Sequence, residues 1–245
     1  MRKVRLTVVA AATLLWAGRA LATPTPQQLC DSARITAWKV YQACVDTVVA
    51  KDAKLGFGAF DEFAAFAKCR HAYFKKWTGL QAAKYATSTC IGSRLTDNGT
   101  TVTDNLTGLV WEKMTNDASV HDVGNFYDWG SIDETGQAFT TFLTAGLNTP
   151  GFAGSSGWRL PTLAELQTSL KDFTCTGAGN GPKCTCGTPP CIETTFGPTQ
   201  SGFYWSATSY VPNPSVTWDV TFGNGLVNCD LKASGFYVRA VRGGL

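Results

Sequence analysis

Three cysteines, Cys184, Cys186 and Cys191, fall within the run CTCGTPPC. Cysteines this close can ligate a metal, exchange disulfides or staple a loop. A structural metal centre needs several well-placed ligands, typically Cys or His. The chain has two histidines, His71 and His121, and neither is near this run. A loop staple is therefore preferred, as Cys186–Cys191, with Cys175–Cys184 beside it and a redox Cys184-x-Cys186 as the alternative. A second dense stretch, GWRLPTLAELQTSL from Gly157 to Leu170, holds Arg159, Thr162 and Glu165. Arg159 and Glu165 could clamp a ligand. Thr162 with Glu165 three residues on is also a capping box, and the planar fork of Arg159 suits carbonyls or a paired acid. The residue types match a helix start one for one, so scaffold is preferred. Arg239 and Arg242, near the last strand, are read as latches in the same way. His121-Asp122 alone is weak evidence for acid–base work. No serine or cysteine sits in a nucleophile motif, and catalysis is not expected. Carboxylates and amides cluster at Asp117, Asp122, Asp128 and Asp133, and again at Asn213, Asp219, Asn224 and Asp230. These are calcium-ligand types, without an EF-hand spacing. No cofactor is assigned; calcium is the one ion the composition would suit.

The elements that must carry these residues begin after a secretory leader. Arg2, Lys3 and Arg5 precede an apolar run too short to span a bilayer, and Ala20-Leu21-Ala22 fits a cleavage site. Residues 1–22 are thus expected to be removed, leaving an exported chain, periplasmic or extracellular, without a membrane span. Export suits its cysteines, which all nine lie beyond this leader. An odd count leaves one thiol over, and Cys229 is the expected one.

Residues 23–92 carry nine basic and five acidic residues, and residues 93–245 eight and thirteen. Such asymmetry predicts two units and gives no basic read-out domain for nucleic acid. In the first unit, Cys30, Ala37, Tyr41, Cys44 and Val48 lie on one helical face. Leu55-Gly56-Phe57-Gly58 breaks the helix. A second stripe follows: Phe66, Cys69, Tyr73, Trp77 and Leu80. Antiparallel helices would pair Cys44–Cys69 and Cys30–Cys90. Beyond residue 93, strand–turn–strand patterns dominate: RLTDNGTTVTD, LTGLVWEK, FYWSATSY, VTWDVTF, LVNCDLK and FYVRAVRG. The last three read as consecutive antiparallel strands. Thr135 to Leu147 is weakly helical and Thr162 to Leu170 a short helix. The fold class is α+β: a disulfide-stapled helical hairpin, then short antiparallel strands with two helices.

The stretches RLTDNGTTVTDNLTGLVWEK, ASVHDVGNFYDW, FAGSSGWRLPTLAELQ, CIETTFGPTQSGFYWSAT, TWDVTFGNGLV and FYVRAVRGG occur in this order across 93–245. In this set the second unit resembles the C-terminal domain family of the Legionella collagen-like adhesin. The resemblance implies a C-type-lectin-like fold, more distantly similar to formylglycine-generating enzymes. It implies exported proteins that bind ligands, often glycans, rather than catalysts. The hairpin falls outside it, and the chain lacks a collagen-like stalk.

C-type lectins hold calcium and sugar with Asn-Pro and Trp-Asp-like patterns, which Asn213-Pro214 and Trp218-Asp219 echo. An aromatic ring beside carboxamides is what sugar binding needs. Asn213, Trp218, Asp219 and Asn224 are thus the candidate ligand site; the alternative, a solvated acidic face with Trp218 in the core, is preferred on the residues alone. The acidic balance of 93–245 argues against polyanions there. The basic face lies on the hairpin instead, at Lys68, His71 and Lys75, flanked by Arg70 and Lys76, and is the expected place for an anionic ligand. A solvated helix face, or docking of the basic hairpin on the acidic second unit, is the alternative. The expected function is non-catalytic recognition of a glycan or surface protein. An interaction subunit of an envelope or secreted assembly is the first alternative, and an enzyme of formylglycine-generating type the second.

Overall fold

The structure, a computed structural model, describes residues 24–83, 93–172, 175–176, 183–184 and 186–245. The expected leader and Cys90 lie outside the described residues. Helix α1, Pro26–Leu55, starts with a capping box: the Thr25 hydroxyl accepts from Gln28 N, and the Gln28 side chain accepts from Thr25 N. Pro26 at the first turn costs no hydrogen bond. Gly56 stops the helix at φ +93°, a conformation that L side chains rarely adopt, and its N–H donates to Asp52 O. Helix α2, Glu62–Ala83, returns antiparallel. The buried faces are Ala37, Tyr41, Val45 and Val48 on α1 and Phe66, Cys69, Tyr73 and Trp77 on α2. Tyr41 and Tyr73 stack at 4.8 Å, and the Cys44–Cys69 disulfide joins the helices. Cys30 is disulfide-bonded.

The rest is a set of small antiparallel sheets. β1 (Leu95–Asp97), β2 (Thr101–Asp104) and β3 (Leu109–Glu112) form a meander. β4 (Tyr127–Asp128) follows, then a wide π-helix, Ala138–Asn148. The short helix α3, Leu163–Thr168, carries its own capping box between Thr162 and Glu165. β5 (Cys175–Thr176) and β6 (Lys183–Cys184) pair so that Cys175 lies opposite Cys184 along the backbone; the side chains of both lie outside the described residues. Cys186–Cys191 is bonded and Cys229 is free. β7 (Phe203–Ser209), β8 (Val216–Thr221) and β9 (Val227–Leu231) form a second meander with β8 in the centre.

The final run does not continue that meander. It splits into β10 (Gly235–Phe236), which pairs with β4, and β11 (Val241–Gly243), which pairs with β3. The cause is Arg239 between them. It is fully buried, and its Nη atoms donate to Glu112 O, Phe196 O, Pro198 O and Thr199 Oγ1. A guanidinium drawn into that many acceptors bends the strand from one sheet to the next.

Two apolar cores result. The larger runs without a break from the hairpin (Trp38, Tyr41, Phe66, Trp77) into the strands (Val102, Trp111, Trp218, Phe222). The smaller gathers Tyr127, Phe142, Leu147, Trp158 and Trp205. The hairpin docks mainly by apolar contact. Phe57 and Phe66 meet the Trp218 ring edge-on at 5.9 and 5.8 Å, Tyr41 Oη donates to Ala164 O, and the Arg94 guanidinium covers Phe74 at 4.4 Å. Burial of a side chain such as Phe66 contributes about 1.5–3 kcal/mol, more than an exposed ion pair such as Lys113–Asp97.

Candidate ligand surface

The candidate site at Asn213, Trp218, Asp219 and Asn224 does not come together at the surface. Trp218 and Asp219 are fully buried. β8 is a central strand, and Thr217 through Thr221 are buried along both faces, so alternation gives it no solvent side. The Trp218 ring lies under Phe57 and Phe66, and the contact that hides it comes from the hairpin. Asp219 lies beside Asp230. Burial first, then the Asp230 charge, pushes its pKa up to about 8. Asn213 is exposed, but its Oδ1 accepts from Ser215 N in its own turn. Asn224 Oδ1 likewise accepts from Leu226 N in the turn between β8 and β9. Both amides serve turns, a common use of asparagine.

The basic face of the hairpin is partly as expected. Lys68, His71, Lys75 and Lys76 are exposed, and His71 Nδ1 lies 3.3 Å from Asp172. Arg70 is a correction: it is 1% exposed. Position 70 lies one turn after Phe66 and one before Phe74, so it shares their inward face. Burial holds its pKa below the usual guanidinium range, and the Asp172 charge acts against that.

Arg159 and Glu165 meet as a bidentate pair at 2.6 and 2.7 Å, and Glu165 also accepts from Thr162 N. Both carboxylate oxygens are thus committed at the helix start. The Arg242 guanidinium covers Trp158 at 5.4 Å. His121 stacks on Phe152 at 4.2 Å, and its Nδ1 lies 2.6 Å from Oε1 of the buried Glu112. The other oxygen, Oε2, accepts from Ala240 N. Among the described residues no group of three or more His, Cys, Asp or Glu is placed to hold a metal ion.

Besides Phe57 at the hairpin tip, the exposed rings among the described residues lie where β4, β10 and β7 run side by side. Register pairs Phe236 with Tyr127, and Tyr237 bridges to Tyr204. Side chains alternate along a strand, so Phe236 and Tyr237 point to opposite faces. On one face Phe126, 57% exposed, lies 4.4 Å from the Tyr237 ring. On the other, Phe203, 40% exposed, stacks on Phe236 at 5.0 Å. Both pairs rest on buried rings: Tyr237 on Tyr204, and Phe236 on Trp205. Trp205 Nε1 is tied to Tyr127 O, and Gln200 N donates to Tyr204 Oη. Gly202 is required here, since a Cβ at this position would stand 2.5 Å from the Tyr237 ring. The exposed rings are therefore held on a fixed base, and Asn125, Asp128, Gln200 and Ser201 lie within three residues of them along the chain. Such an edge can stack on the apolar face of a ligand while amides and hydroxyls meet its polar groups. A sequence signal for it exists. Phe-Tyr recurs three times, in NFYDW, GFYWS and GFYVR. At Phe126-Tyr127 and Phe203-Tyr204, alternation buries the tyrosine and leaves the phenylalanine out.

A family model described as the Lcl C-terminal domain matches residues 100–242, more than half of the chain. The chain belongs to this family. No curated protein and no solved structure matches it. The Lcl C-terminal domain thus takes in the meander from β2 onward, both latching arginines and the aromatic edge, and the match closes at Arg242 in β11. The hairpin and edge strand β1 lie before it.

Proposed function

We propose that this is an exported, adhesin-like, non-catalytic recognition protein, formed of a leader, a helical hairpin and a C-type-lectin-like Lcl C-terminal domain that binds glycan. The observation that carries the reading is the aromatic edge. One ring of each pair, Phe126 and Phe203, is exposed beside a half-buried partner on a base of buried rings, and exposed apolar patches mark interaction sites. Membership of the Lcl C-terminal domain family supports the adhesin-like part. The disulfides Cys44–Cys69 and Cys186–Cys191 support an oxidising compartment. Among the described residues no helix is long and apolar enough to cross a membrane.

The test is a glycan-array screen of the oxidised protein in calcium and again in EDTA, followed by affinity measurement on the hits. Phe126→Ala with Tyr237→Ala, and Phe203→Ala separately, are expected to weaken binding at least tenfold (about 1.4 kcal/mol) in one case or both, with the melting temperature little changed. Binding that survives both and is lost in Lys68→Glu/Lys75→Glu would move the site to the hairpin and make the ligand anionic. Loss of all hits in EDTA would add calcium to the site.

A second reading, an interaction subunit of an envelope or secreted assembly, is favoured by one observation. An open apolar groove of about 310 Å³ runs along the hairpin between Thr36, Val40, Tyr41, Cys69, Tyr73 and Lys76. An empty glycan array together with a stable co-purifying protein would favour it.

A further inference from the structure

Both buried helical stripes end in a carboxyl. On α1 the spacing Tyr41, Val45, Val48 continues to Asp52; on α2 the spacing Trp77, Tyr73, Phe66 continues back to Glu62. The hairpin brings the two ends together at its tip. Asp52 is 0% and Glu62 1% exposed. The Asp52 carboxyl faces Glu62 and the Tyr210 hydroxyl, and neither of its oxygens has a hydrogen-bond partner of ordinary geometry. Two like charges so placed, away from water, cannot both ionise at low cost.

The helices decide which one keeps the proton. Glu62 opens α2, where the positive end of the helix dipole favours an anion, and Gly58 N–H donates to its Oε1 at 2.6 Å. Asp52 lies in the last turn of α1, where the dipole disfavours an anion. The groups facing this pair offer no relief. Tyr210 comes from the segment after β7, and Cys229 from β9, its thiol pushed up to about 12 by burial and by Asp52, Asp219, Asp230 and Glu62. The nearby Lys51 ammonium sits over the Phe60 ring at 3.9 Å. No lysine, arginine or histidine is among the charges that shift Asp52 or Cys229.

We propose that Asp52 and Glu62 share one proton while the hairpin tip is docked, and that losing this proton releases the tip from the β7–β9 sheet. Burial and the Glu62 contacts push Asp52 up to about 6, which sets the range in which release begins. A released tip uncovers Phe66, Tyr210 and Trp218, which are buried where ring contacts form the seam. The hairpin is then closed in acid and loosened in neutral to alkaline solution. This inference is independent of any glycan site.

Hydrogen–deuterium exchange of the oxidised full chain at pH 5 and pH 8, corrected for intrinsic exchange rates, tests it. Amides of residues 52–66 and of β8 and β9 are expected to lose protection at least tenfold at pH 8. Asp52→Asn, which can donate to Glu62 without a titrating proton, should hold the tip docked at both values. Glu62→Gln should do the same, and serves if the first variant does not fold. Equal protection of the wild type at both values would overturn the proposal, as would full pH dependence in whichever variant folds. Restoration of protection at pH 8 by calcium, reversed by EDTA, would also overturn it, because the cluster would then hold a cation rather than a proton.

Discussion

Glu112 in β3 and Asp219 in β8 are both fully buried carboxyls in central strands. Glu112 meets His121 Nδ1 and Ala240 N, and its backbone carbonyl accepts from Arg239. Asp219 has Asp230 beside it and no hydrogen-bond partner of ordinary geometry on either oxygen. Burial alone therefore says little about what a carboxyl does. Partnered, it ties elements together: Glu112 joins β3, the His121 loop and the approach to β11. Unpartnered, it resists ionisation and makes the fold depend on pH. Glu165 is a third case, itself buried but partnered by the more exposed Arg159 and Thr162 at the start of α3.

The strongest challenge to this contrast is Glu112→Ala. It leaves Ala240 N–H buried without an acceptor and removes the His121 tie. A loss of about 3 kcal/mol is expected, read as a fall in the denaturation midpoint at unchanged slope. A loss below about 1 kcal/mol would mean that the two contacts do little.

Asp219 should behave oppositely. Its pKa is raised from 3.8 to about 8 in the folded chain. Between those values the folded state keeps a proton that the unfolded state has released. Stability then falls as pH rises through the window, by at most about 1.4 kcal/mol per pH unit, and levels off above it. Asp219→Asn should flatten this part of the curve and raise the melting temperature at pH 8. An unchanged curve would place the pH dependence elsewhere. The smallest effect belongs to Glu165→Ala, which removes the capping box and the Arg159 pair. A cost of about 1 kcal/mol is expected, because both partners keep access to water.

Much of the scaffold was legible. The α1 and α2 stripes, the Gly56 break, the Thr162–Glu165 cap and the Cys44–Cys69 pair follow from local spacing, and local spacing is what periodicity reports. The candidate site was less so. Trp218-Asp219 looks like a surface pair only while β8 is imagined with one face in water; its cover comes from Phe57 and Phe66, more than 150 residues earlier. Asp52 and Glu62 occupy apolar-stripe positions, and a search for apolar residues passes over them. The division of FYVRAVRG between two sheets depends on Arg239 reaching Phe196 and Thr199, distant acceptors that no local pattern announces. The aromatic edge was written as a repeated Phe-Tyr, but only the register of β4, β10 and β7 reveals which rings face out.

Val241 pairs with Trp111 of β3 on one side and with Arg159 on the other, where it exchanges both backbone hydrogen bonds. In mechanical terms β11 is a tongue gripped along both edges. Traction on the segment that follows it cannot unzip one edge at a time. It must shear the two together, and the grip passes the load through Arg159 and Glu165 into α3. A protein that holds a ligand against flow would be anchored best from that end.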